Sequence, residues 1–170
     1  MKLNIKLFAL LVIGGMLVAS CGSDYLVEDY WDLEDLPGYV AFDADGNTVN
    51  LPTLETSEDA GSVSLNIECP TGTLSDITIN YEVTGSAQSG VDYSIAGGSN
   101  SIVMKPNTTD FQNPDNVDLV IEILTDSIPD GVKNLTVTLV SASNAEGTLA
   151  VGRGGTDFLK SATVSIADID

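Results

Sequence analysis

The sequence predicts an all-β domain, an antiparallel sandwich of about seven to eight strands, and three observations predict it. From residue 38 onward the apolar residues recur with period 2 rather than 3.6. Clusters of Gly, Pro, Asn, Asp and Ser interrupt the alternating runs at short intervals. No window reads as an amphipathic helix. Candidate strands are Tyr39 to Asp43, Thr48 to Leu51, Ser62 to Cys69, Ile77 to Thr84, Asn100 to Lys105, Val117 to Thr125, Lys133 to Ala142 and Ser161 to Ala167. In the fourth of these, Ile77, Ile79, Tyr81 and Val83 share one face while Thr78, Asn80, Glu82 and Thr84 share the other. One face is therefore buried and one wet, as in two sheets closing over a single core.

The N-terminus has a different chemistry. Lys2 and Lys6 precede a 13-residue run, Leu7 to Ala19, that ends at Val18-Ala19-Ser20-Cys21. Such a run is too short for a hydrocarbon core that needs ~20 residues, but it has the length of the apolar region of an export signal. Residues 1–20 are accordingly read as a signal peptide. The segment before Cys21 resembles the lipobox of bacterial lipoproteins, which implies that Cys21 is acylated, becomes the new N-terminus and anchors the chain without spanning the membrane. Residues 21–37 follow as an acidic tether. Six acids between residues 22 and 37 surround Tyr25, Tyr30 and Trp31 without a clean period. These aromatics are either solvated with the linker or docked on the domain or a partner. The folded domain is expected over residues 38–170. Asp24, Glu28 and Asp29 loosely resemble export signals of surface lipoproteins, which points to an outer membrane or cell-surface location in the bacterial envelope.

Charge and composition remove whole classes of function. Beyond Cys21 the chain has four basic residues against 25 acidic ones, a formal charge of −21. That surface excludes nucleic acid as a partner and favours cations. With no histidine in the chain, Ser-His-Asp and Cys-His nucleophiles and all imidazole metal sites are excluded. With Cys21 acylated, Cys69 has no disulfide partner. It falls at the inward phase of its strand, which makes it a buried, inert thiol.

Two motifs dissolve on inspection. Asp43-Ala44-Asp45-Gly46-Asn47 begins like a calcium loop, but its glycine comes too early and no glutamate closes the loop. Asp45-Gly46 reads better as a hairpin turn. Val151-Gly152-Arg153-Gly154-Gly155 lacks the Lys-Ser/Thr of a phosphate loop and opens no helix, so it reads as a flexible connection before the last strand.

A longer pattern is more informative. Ser57-Glu58-Asp59-Ala60-Gly61-Ser62-Val63 leads into a strand, and Gly90-Val91-Asp92-Tyr93 follows another. Ile123-Leu124-Thr125-Asp126-Ser127-Ile128-Pro129-Asp130 precedes a Leu-Thr-Val-Thr-Leu strand, and Ala162 to Asp170 closes the sequence. The order and spacing of these blocks resembles the Calx-beta domain over roughly residues 50–170. The resemblance implies an immunoglobulin-like β-sandwich. In calcium-binding members, carboxylates from these blocks meet at one end, which implies Glu58, Asp92, Asp126, Asp130, Asp168 and Asp170 as metal ligands here. The departures are Thr125 and Ser127 where the family prefers acids, Lys133 at a position acidic in strong binders, and Ile169 inside the terminal acidic run. They imply weak Ca²⁺ binding.

No nucleophile, base or cofactor loop remains, so the chain reads as a non-catalytic, lipid-anchored Calx-beta-like module that serves adhesion or assembly with a protein or polysaccharide partner. The alternative is an accessory carbohydrate-binding lipoprotein in which Tyr25, Tyr30, Trp31 or Tyr93 stacks on sugar rings. A third reading, an acid-pair glycosidase, requires two carboxylates across a cleft. For the anchor, Cys21→Ser is expected to move the protein out of the membrane fraction. A variant that still partitions with lipid would contradict the lipobox reading.

Overall fold

A computed structural model describes residues 38–44, 51, 53–98, 100–108 and 114–170 of the chain. The expected signal peptide, Cys21, the expected tether with its aromatics, the expected turn at Asp45-Gly46 and most of the strand expected at Thr48 to Leu51 lie outside the described residues.

Ten strands form: β1 (Tyr39–Phe42), β2 (Leu54–Ser57), β3 (Ser62–Cys69), β4 (Ile77–Gly85), β5 (Tyr93–Ile95), β6 (Ser101–Met104), β7 (Asp115–Ile123), β8 (Lys133–Ser143), β9 (Thr148–Val151) and β10 (Ser161–Ala167). One layer has the order β2-β10-β8-β4-β6 and the other β1-β3-β7-β5, with β9 hydrogen-bonded to both β8 and β1. The all-β sandwich is as expected, with more strands than expected and two parallel pairings, β1 with β9 and β2 with β10. The remaining pairs are antiparallel, among them β3 with β7 from Ser62↔Glu122 to Cys69↔Asp115.

Period-2 patterning determines which side chains enter the core. Leu65, Ile67 and Cys69 of β3, Ile77, Ile79 and Tyr81 of β4, Leu119, Ile121 and Ile123 of β7 and Leu135, Val137 and Leu139 of β8 join one buried cluster. Each fully buried Leu or Ile contributes ~1.5–3 kcal/mol relative to exposure. The pattern slips once. Asn80 pairs with Ser141 and Tyr81 with Leu139, so Val140 is left over as a bulge and is exposed. Because of that extra residue, Leu139 and Ala142 both remain buried.

The segment after β9 differs from the flexible connection that its glycines suggested. It makes a short turn at Arg153–Gly155 that is tied to its neighbours. The Gly152 N–H donates to the Val40 carbonyl, that of Arg153 to Phe158, and that of Phe42 to Leu159, at 2.7–2.9 Å. Gly152 has φ +83°, and a Cβ there would fall 1.9 Å from the Thr156 carbonyl oxygen. This glycine is required by close packing as well as by conformation.

Strand direction gives the domain two ends. Gly38, where the chain enters, lies beside Thr71 and Leu149. At the opposite end lie the close of β2, β7 and β10 and the start of β3, β5 and β8.

Cys69 is fully buried and unpaired, with its Sγ 3.5 Å from the Gly72 carbonyl and 3.6 Å from Thr71 Oγ1. Burial pushes its thiol pKa up. A thiol reagent is therefore expected to label Cys69 only on unfolding, and Cys69→Ala to cost about 1–2 kcal/mol as a small cavity. Rapid labelling of the folded domain would contradict the β3 register.

Candidate cation site

The end opposite the point of entry collects acids from four segments between or after strands. Glu58 lies in a single 3-10 turn, Glu58–Ala60, wedged between the end of β2 and the start of β3. Its main chain is held by Thr125, whose Oγ1 donates to the Glu58 carbonyl at 2.7 Å. The side chain is turned inward and is only 5% exposed. Asp168 and Asp170 follow β10, and one carboxylate oxygen each from Glu58, Asp168 and Asp170 lies within 4.8 Å of the others.

Of the six residues expected as ligands, these three come together, and the other three are placed around them. Asp130 donates its N–H to Asp168 Oδ2 at 2.7 Å, as does Gly131, while its carboxylate takes the Lys133 ammonium at 2.9 Å. Lys133 is therefore held by Asp130. Asp126 uses Oδ1 to accept the Ile128 N–H at 2.7 Å within its own loop. Asp92 is buried, and its Oδ2 accepts the Gln88 N–H while its carbonyl accepts the Leu124 N–H at 2.9 Å. It braces the approach to β5.

The carboxylates of this end differ in how they are satisfied. Asp168 accepts from Asp130 and Gly131 through one oxygen and from Asp170 at 2.9 Å through the other. These N–H groups, that of Asp170 first, hold its pKa below the ordinary carboxylate value against the opposing effect of burial. Glu58 is the reverse case. Burial, and then the charges of Asp168, Asp126, Asp170 and Asp130, push its pKa up. Among the described residues, Glu58 Oε2 is the one buried side-chain oxygen or nitrogen without a hydrogen-bond partner. A buried carboxylate oxygen without a donor, among charges of its own sign, is costly unless it is protonated or a cation completes it.

The other buried acids show the contrast. Asp115, at the opposite end of the sandwich, accepts the N–H groups of Thr73 (2.7 Å) and Asn107 and is fully occupied by loop closure. It escaped the sequence reading because the strand was expected to begin at Val117. Thr125 escaped as well, since its part is to hold a main-chain carbonyl. The donor pair Asp130–Gly131 was signalled only by the Pro-Asp-Gly turn. Tyr93, offered above as a surface tyrosine for sugar stacking, is instead 7% exposed and packed in the core, because it takes the inward phase at the start of β5.

No sequence-family model matches the chain, and no curated protein does. Solved structures do. The apo form of the Calx CBD1 domain superposes with a TM-score of 0.56 at 17% identity, covering 79% of this chain and 99% of that one. The Calx CBD2 domain gives 0.54 at 16% identity, covering 76% and 86%. A structure of the calcium binding domain CBD12 of CALX1.1 gives 0.50 at 21% identity, covering 69% of this chain and 42% of that longer one. The domain thus has a Calx-beta-like fold.

Ionisation of Glu58 is predicted to oppose folding of the ion-free domain. Its folded pKa lies above the unfolded value, so the folded state binds the extra proton, and stability falls as pH rises from about 4.5 through the folded pKa. Glu58→Gln removes this penalty. In chelator, the variant is expected to match wild type near pH 4 and to melt higher at neutral pH. Parallel melting curves across this range would contradict the assignment.

Proposed function

We propose that the domain is a non-catalytic module that binds one Ca²⁺ through Glu58, Asp168 and Asp170. The observation that carries this reading is the unpartnered Oε2 of a buried Glu58, whose carboxylate is grouped within 4.8 Å with those of Asp168 and Asp170. The donor set fits the ion, since all three side chains offer hard oxygens and the chain contains no histidine to favour a softer metal. The Calx-beta-like fold supports the same reading, because the acids lie at the end where the loops of this sandwich converge. Three carboxylate oxygens fall short of the 6–8 that Ca²⁺ takes, and affinity follows ligand charge and rigidity, so binding is in the range of extracellular modules. Asp126 and Asp130 add negative charge beside the ion, and Lys133, held on Asp130, subtracts from it.

The signal-like N-terminus and Cys21 complete the proposal: a lipoprotein of the bacterial envelope, anchored through residues 21–37 and presenting the cation site at the end remote from Gly38. Its role on this reading is adhesion or assembly with an envelope partner. The acid-pair glycosidase gains no support, as Glu58, Asp168 and Asp170 crowd within 4.8 Å at a loop end.

For a Kd of roughly 0.1–1 mM, about 5 mM Ca²⁺ stabilises the folded state by ~1–2 kcal/mol, a rise in Tm of roughly 3–10 °C. Magnesium should do less, because it demands a tighter octahedron. Asp168→Asn is expected to abolish the shift and Lys133→Glu to enlarge it. A Tm indifferent to calcium and chelator, in wild type and Lys133→Glu alike, would remove the cation from the account.

A further inference from the structure

The acidic end is also where exposed aliphatic side chains gather. Val91 adjoins Asp92, Ile128 and Val132 flank Asp130, and Ile169 stands between Asp168 and Asp170. They are 51%, 63%, 61% and 49% exposed. Three separate loops carry them: the turn before β5, the β7–β8 connection and the segment after β10. The loops are held together beneath these side chains by the Leu124 N–H on the Asp92 carbonyl and by the Asp130 and Gly131 N–H groups on Asp168.

We infer that this end is a calcium-gated docking surface for anionic phospholipid, with Val91, Ile128, Val132 and Ile169 entering the lipid interface around the ion held by Glu58, Asp168 and Asp170. The inference rests on calcium binding at that triad. Three features of the end favour a lipid surface over a protein. The triad leaves coordination positions of Ca²⁺ open, and a lipid phosphate or carboxylate supplies the missing oxygens. The occupant must carry apolar area directly beside those oxygens, which is the arrangement at a headgroup boundary. The four aliphatic side chains are about half exposed or more on loops, and none lines the cavities of about 400 and 270 Å³, whose walls include Phe42 and Leu65, and Glu68 and Arg153. The gating follows from coordination: without the ion, a chain of 25 acids and six basic residues is repelled by an anionic surface, whereas the bound ion offsets two of the triad's three negative charges and bridges it to the headgroup.

The test is sedimentation of the full chain with phosphatidylserine–phosphatidylcholine vesicles, in calcium and in chelator. Reading the difference between the two conditions removes any calcium-independent contribution of the N-terminal segment. Calcium is expected to raise the vesicle-bound fraction of wild type. The double substitution Ile128→Ser with Val132→Ser is expected to weaken this calcium-dependent part at least about tenfold, as follows from withdrawing several buried methylene equivalents. The same variant should keep the calcium-induced rise in Tm, which separates docking from ion binding. A wild-type Tm that responds to calcium with no change in vesicle binding would overturn the docking proposal and spare the ion. A Tm that does not respond would remove both. Equal capture by pure phosphatidylcholine vesicles, or undiminished binding by the double variant, would also overturn it. So would calcium-dependent dimers in light scattering with vesicles left unbound, which would assign the face to a second copy of the chain.

Discussion

The carboxylate of Glu58 imposes the constraint on which the arrangement of its end depends. A 3-10 turn between two strands and the Thr125 hydroxyl fix its main chain, and burial leaves Oε2 without a donor among charges of its own sign. A group in that position has two stable conditions, protonated or bound to a cation. The neighbouring elements favour the second. Asp168 is kept ionised by three N–H donors, and Lys133, at the start of β8, is held by Asp130.

Asp92 and Asp115 show that burial of an acid is not by itself a sign of function. Both are as buried as Glu58, and both are answered by main-chain N–H groups that close a local loop. They serve the fold, one at each end of the sandwich. What sets Glu58 apart from them is an oxygen with no donor and the nearness of Asp168 and Asp170, one carboxylate oxygen of each lying within 4.8 Å of one of its own. The aliphatic groups around the triad belong to the same economy of surface: they have water on one side and an ion site on the other.

Much of this was legible in the sequence. The long strands β3, β4, β8 and β10 follow from alternation, because a half-buried strand must alternate, and their limits agree with the expected ones to within a residue or so. β2, β5 and β9 were not legible. They are three or four residues long, too short to show a period, and they form because longer neighbours offer unpaired edges. Parallel pairing of β2 with β10 was likewise invisible, since it joins segments about a hundred residues apart. At the site, the pattern of blocks brought forward Glu58, Asp168 and Asp170, whose carboxylates lie within 4.8 Å of one another. It could not distinguish them from Asp92, Asp126 and Asp130, because what separates the two sets is which carboxylates the loop closures bring within 4.8 Å of one another.

The most direct test of the central claim is a crystal structure of the domain grown in calcium, with an anomalous difference map around Glu58. The account predicts a peak within about 2.3–2.6 Å of carboxylate oxygens from Glu58, Asp168 and Asp170. A map with no peak there, and with Glu58 Oε2 paired to an ordered water or sharing a proton with Asp168, would contradict it.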